Sequence, residues 1–120
     1  MRDNQSESAM FEFLEWPGFA SRRDDLLDDE EYRALQNTLL DAPRFAPVIP
    51  GTGGCRKMRV RRAGAGKSRG FRVVYYVQDA KGRIHLLYLF AKNERSDLSQ
   101  SQRNTLKTLI QGLAVSVTET

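Results

Sequence analysis

Apolar and polar positions recur along this chain with two periods, and the switches between them mark its elements. Met10 to Trp16 (Met-Phe-Glu-Phe-Leu-Glu-Trp) alternates apolar with acidic residues, the pattern of a half-buried strand. Pro17-Gly18 is predicted to end it, with no more than a weak helical turn over Phe19 to Leu27. Asp28-Asp-Glu-Glu31 places acids at the positive end of a helix dipole. Behind them Tyr32, Leu35 and Leu39 fall on one helical face, and Pro43 stops the helix. Arg44 to Gly54, with Pro47, Pro50, Gly51, Gly53 and Gly54, is a connector without a regular pattern.

Three strands are predicted next. From Cys55 to Arg62, Met58 and Val60 alternate with Lys57, Arg59 and Arg61, so period-2 geometry puts three cations on one face. A Gly- and Lys/Arg-containing loop, Ala63 to Gly70, leads to Phe71-Arg-Val-Val-Tyr-Tyr-Val77, and Asp79-Ala-Lys-Gly82 is a hairpin turn signal. Ile84 to Ala91 is apolar on both faces and therefore expected to be central. Ser99 and Gln102 form a capping box ahead of Leu106, Leu109, Ile110, Leu113, Ala114 and Val117, an amphipathic helix. The order β-α-α-β-β-β-α predicts one α+β domain over residues 1–120, with 1–9 and 116–120 as frayed tails. A small antiparallel or mixed sheet is expected, with the N-terminal helices packed on one side and a C-terminal amphipathic helix.

Charge changes this picture more than composition does. Residues 1–50 carry five Lys/Arg against eleven Asp/Glu, a net −6, whereas residues 51–120 carry fourteen against four, a net +10. No acid occurs between Gly51 and Gln78, yet Arg56, Lys57, Arg59, Arg61, Arg62, Lys67, Arg69 and Arg72 all do. A basic block of that density suits a polyanion, since each neutralised phosphate releases condensed counterions. The plainer reading, a solvated surface that keeps the protein in solution, fits less well because ordinary surfaces mix both signs. The longest apolar run, Leu86 to Ala91, is six residues, too short for a membrane span, and the N-terminus lacks the apolar segment of a signal peptide. Cytoplasm is the expected location.

Familiar catalytic sets are mostly missing. A single histidine, His85, lies inside the hydrophobic strand and reads as structural, and the single cysteine, Cys55, reads as a buried thiol. The acids concentrate away from the basic block, so neither a metal site nor a cofactor is expected. Gly51-Thr-Gly-Gly54 precedes a strand and lacks the Gly-Lys-Ser/Thr ending of a phosphate loop, and Gly66-Lys67-Ser68 lacks the upstream glycine. What remains is the cationic face of Lys57, Arg59 and Arg61, with Arg72 beside it if the strands pair as hairpins and Lys92 joining from the end of the next strand. Such a cluster can hold a phosphate, and like-charge repulsion can depress a lysine into a usable proton carrier. Tyr75, Tyr76 and Tyr88 offer stacking surfaces for bases, although a core role is expected for at least two of them; Tyr76 is placed in the substrate set.

Three segments, Gly51-Thr-Gly-Gly-Cys-Arg-Lys-Met-Arg59, Gly66-Lys-Ser-Arg-Gly-Phe-Arg-Val-Val-Tyr-Tyr76 and Tyr88-Leu-Phe-Ala-Lys-Asn-Glu-Arg-Ser-Asp-Leu98, resemble the RelE/HigB superfamily of type II toxins, and the HigB-like branch most closely. Asp29-Glu-Glu-Tyr-Arg33 is similar to that branch too, so the resemblance spans residues 28–115. It implies a microbial-RNase-like toxin fold and cleavage of mRNA in the ribosomal A site. It also implies a cognate antitoxin, commonly of helix-turn-helix type. Lys57, Arg59 and Arg72 match the phosphate-facing cations of that pattern. Asn93 and Ser99 stand where RelE carries a second arginine and a late tyrosine, with Lys92 the nearest cation. The expected catalytic set is thus Lys57, Arg59, Arg72 and Lys92, with Arg61, Arg62, Lys67, Arg69, Tyr76 and Asn93 as substrate contacts. A non-catalytic RNA- or ribosome-binding module, an antitoxin-binding protein that has lost nuclease activity, and a domain that docks an acidic partner are the alternatives.

Overall fold

Each strand that the alternation predicts is present in the computed structural model, which describes residues 11–61, 70–91 and 98–119. β1 (Glu12–Glu15) is followed by α1 (Pro17–Leu26) and α2 (Asp29–Asp41), then by β2 (Arg56–Arg61), β3 (Gly70–Gln78), β4 (Arg83–Ala91) and α3 (Gln100–Glu119). Residues 116–119, expected as a tail, continue α3.

The helix starts follow from their caps. Asp28 and Glu31 form a reciprocal box: Glu31 N donates to Asp28 Oδ1 at 2.7 Å and Asp28 N to Glu31 Oε1 at 2.9 Å. Ser99 and Gln102 repeat the arrangement at α3, at 2.9 and 3.1 Å. α1 differs from expectation. Pro17, which ends the strand as expected, is also the first residue of a full helix, where the missing N–H costs nothing. The helix presents a single fully buried side chain, Phe19, so no apolar stripe announced it.

The sheet order is β1-β4-β3-β2, with β1 parallel to β4 and the other pairs antiparallel. β4 is interior, as its two apolar faces require. One face carries Met58, Phe71, Val73, Tyr75, Ile84 and Leu86 and packs against Phe19, Leu35 and Leu39 of α1 and α2. The opposite face carries Val74 and Leu87 and packs against Cys55, Leu106 and Ile110, the last two from α3. The N-terminal helices α1 and α2 therefore pack on one side, as expected, and the C-terminal amphipathic helix α3 takes the other, because a central strand apolar on both sides needs two covers.

Two local features place the second face. Val74 pairs with Tyr88 but Tyr75 with Leu86, so Leu87 is an extra residue in β4, a β-bulge. The Gly51–Gly54 segment is a tight turn rather than a phosphate loop. Its Thr52 is buried, donates to the Ile49 carbonyl at 2.7 Å and accepts from Cys55 N at 3.0 Å. Gly53 has a φ of +81°, and a Cβ there would lie 3.3 Å from Ile110 Cβ, so the turn lets α3 seat closely beside β2. Arg103 Nη1 ties α3 to the Pro50 carbonyl at 3.0 Å.

Candidate active site

Alternation within β2 sorts its cations by face. Arg56 pairs with Tyr75 on the α1/α2 side, where its Nη1 donates to the carbonyls of Ala46 and Arg44 at 2.7 and 3.0 Å. Lys57 and Arg59 point to the α3 side. There Arg59 stands directly opposite Arg72 on β3, and Lys57 opposite Val74. Continuing across the sheet, Arg72 faces Phe90 and Val74 faces Tyr88 on β4. The result is two registered rows, Arg59–Arg72–Phe90 and Lys57–Val74–Tyr88, side by side on one surface.

Lys57 and Arg72 are half-buried, Arg59 is exposed, and the Arg72 Nε is sealed from solvent. Two guanidinium groups in register repel each other, and an anion between them relieves that repulsion. The surface thus offers hydrogen-bond donors of one sign at strand spacing, an arrangement suited to the non-bridging oxygens of a phosphodiester.

The remaining expected site residues distribute as follows. Arg61 ends β2 opposite Gly70, its side chain outside the described residues. Arg62, Lys67 and Arg69, between β2 and β3, and Lys92 and Asn93, after β4, also lie outside the described residues. Tyr76 is on the same face as Arg72 but two positions beyond Val74, away from the arginines. A Cβ on Gly54 would lie 3.4 Å from its ring, and the His85 ring is 6.3 Å away. Tyr75 is fully buried on the other face, its hydroxyl donating to the Pro43 carbonyl at 2.7 Å. Ser99 is engaged as the α3 cap, its Oγ accepting from Gln102 N.

His85 and Cys55 have structural surroundings. Trp16 Nε1 donates to His85 Nδ1 at 2.9 Å, so the ring proton sits on Nε2, which meets Gln78 Oε1 at 2.9 Å. Burial, followed by the nearby Arg83 charge, lowers the His85 pKa from its ordinary 6.5 and keeps the ring neutral. Burial pushes the Cys55 thiol up to about 11, far from a thiolate nucleophile. Phe90, stacked on Tyr88, is the feature that sequence reasoning missed. Phe90 reads as core, and nothing in the linear pattern announces the bulge that brings it beside Arg72.

Known proteins share both the pattern and the shape. A family profile described as RelE toxin of the RelE / RelB toxin-antitoxin system matches residues 48–119, the stretch containing β2, β3, β4 and α3. A mutant of the E. coli toxin RelE in the free state superposes with a TM-score of 0.55 at 19% identity, covering 83% of this chain and 96% of that one. A chain of the intact E. coli RelBE toxin–antitoxin complex superposes with a TM-score of 0.53 at 22% identity, covering 71% and 99% respectively. At these identities the structural likeness speaks for the fold.

Proposed function

The chain belongs to the RelE toxin family, and from that premise we propose that it is a ribosome-dependent mRNA endonuclease, a toxin that cuts message in the A site and so arrests translation. The observation that carries this reading is the register of Arg59 on Arg72, with Lys57 two residues along on the same face, inside the segment matched by the family profile.

The chemistry needs no metal. The 2′-OH adjacent to the scissile linkage attacks phosphorus and loses its proton. The P–O5′ bond breaks, leaving a 2′,3′-cyclic phosphate and a 5′-OH end. Lys57 assists the proton's departure, with Arg59 beside it; lysine suits the role because arginine is effectively always protonated. Arg72 holds the non-bridging oxygens as charge develops on them. Lys92, next in sequence after β4, protonates the leaving 5′-oxygen or stabilises its charge while it takes a proton from water. Arg61, Arg62, Lys67, Arg69 and Asn93 contact message or ribosomal RNA through the backbone, without reading bases. So spare a catalytic set relies on the ribosome to orient its substrate. The three motif segments, in order and spacing, favour the HigB-like branch, a cognate antitoxin of helix-turn-helix type and a cytoplasmic setting. Among the described residues no helix is long and apolar enough to cross a membrane.

The test is to add the purified protein to a translating extract and map message 5′ ends. New 5′-OH ends are expected with the wild type and none with a Lys57→Ala, Arg72→Ala double variant that still folds. Undiminished cutting by that variant would overturn the assignment. A second reading, a block of translation without cleavage, is favoured by Asn93 and Ser99 standing where RelE has an arginine and a tyrosine. It predicts translation arrest with no new ends.

A further inference from the structure

Phe90 and Tyr88 stand beside the cations only because β4 is bulged. Were alternation unbroken from Leu86, the β4 residues sharing a face with Arg72 would be Leu87 and Leu89. The extra residue at Leu87 shifts the parity, so Tyr88 and Phe90 take that face and Leu89 turns to the opposite core. A bulge that keeps Leu87 on this face, turns Leu89 to the other core and brings two aromatic rings to the end of a cationic row re-aims side chains toward a ligand.

The two rings form a unit. They stack with centroids 5.7 Å apart and planes 11° from parallel. Tyr88 is held from behind, since α1 starts so close that a Cβ on Gly18 would lie 2.5 Å from its ring. It also borders a cleft of about 180 Å³ with Trp16, Leu106 and Leu109. Phe90 is half-buried and directly across from Arg72. Neighbouring strands lie about 4.8 Å apart, so a phosphate held by Arg72 and a base lying on Phe90 fit within the span of one nucleotide.

We propose that Phe90, backed by Tyr88, is the stacking platform for the base of the nucleotide whose phosphate Arg72 holds, an assignment that rests on the nuclease reading above. Stacking accepts any base through its π-face, so the platform positions the message without selecting its sequence. Phe90 is thus a positioning residue. A ring placed there for core packing alone would leave the reaction indifferent to whether the message carries a base at that nucleotide.

That indifference is what the experiment reads. Ribosomes are programmed with a message whose A-site nucleotides are intact or, one at a time, abasic, and cleavage is followed in a single turnover. At one position the wild type is expected to lose about tenfold in rate on the abasic message, the scale of one stacked base. Phe90→Leu is expected to lose about tenfold on the intact message and nothing further on the abasic one. Phe90→Tyr is expected to match the wild type. The platform is overturned if the wild type cuts every abasic message at the intact rate, or if the abasic penalty is unchanged in a folded Phe90→Leu. Should circular dichroism show Phe90→Leu unfolded, the comparison of intact with abasic message by the wild type still decides. No cutting of any message by the wild type overturns the nuclease reading, and the platform with it.

Discussion

The two faces of the sheet use charge in opposite ways. On the α1/α2 side charges meet partners. Tyr32 donates to Glu15 at 2.6 Å, Arg23 reaches the same carboxylate at 3.4 Å and lies over the Tyr32 ring at 4.2 Å, and Arg56 is spent on connector carbonyls. These contacts join β1, α1, α2 and the connector, and each group is compensated by the fold itself. On the α3 side Arg59 stands against Arg72 with Lys57 alongside, cations of one sign in register. A fold that pairs opposite charges on one surface and sets like charges in register on the other puts cross-element ties on the first and makes the second a surface suited to an external anion.

The sharpest way to break that division is to remove the cover of the first face. Phe19 is completely buried and is the main side chain through which α1 enters the core, with half-buried Leu26 packed beside it. Phe19→Ala is expected to lower the unfolding free energy by about 3–5 kcal/mol in a urea titration. A loss below about 1 kcal/mol would mean that α1 is not a structural cover at all.

The second face predicts a smaller effect of the opposite sign. Arg59 is exposed and its cross-strand neighbour is another arginine, so Arg59→Gln removes a repulsion and no core contact. It is expected to stabilise the protein by about 0.5 kcal/mol, raising Tm by roughly 2–4 °C, while message cleavage falls. A fall in both stability and cleavage would show that Arg59 belongs to the scaffold, and the contrast between the faces would fail.

Much of this arrangement is legible in the linear sequence. The alternation around Lys57, Arg59 and Arg61 puts cations on one face from spacing alone, and the capping residues at Asp28 and Ser99 locate two helix starts. Three things escape it, each for a physical reason. α1 has one buried residue and opens on a proline, so it lacks the stripe that betrays a helix. The double-sided cover is implied by the apolar run Leu86 to Ala91, but which helix goes to which face depends on packing between distant segments. The bulge at Leu87 is a property of pairing between β3 and β4, so a strict two-residue period assigns Tyr88 and Phe90 in the wrong phase relative to Leu86.

The smallest expected effect concerns the far end of the cationic face, where His85 is kept uncharged. Its Nδ1 accepts from Trp16 Nε1, so a proton added there would set two donors against each other and loosen the junction of β1 with α1. Burial and Arg83 lower its pKa in the folded state below the ordinary 6.5. The unfolded chain therefore binds this proton more readily. The contribution of His85 to stability is complete above about pH 6.5, and it declines as pH falls from there toward the lower folded-state value. Urea titrations of the wild type and His85→Gln at pH 7.5 and 5.5 test this, because acids elsewhere titrate alike in both and cancel in the difference. The wild type should lose more stability between the two pH values than the variant. Equal losses would show that folding leaves the proton affinity of His85 unchanged, and the neutral ring would then play no part in holding this end of the face together.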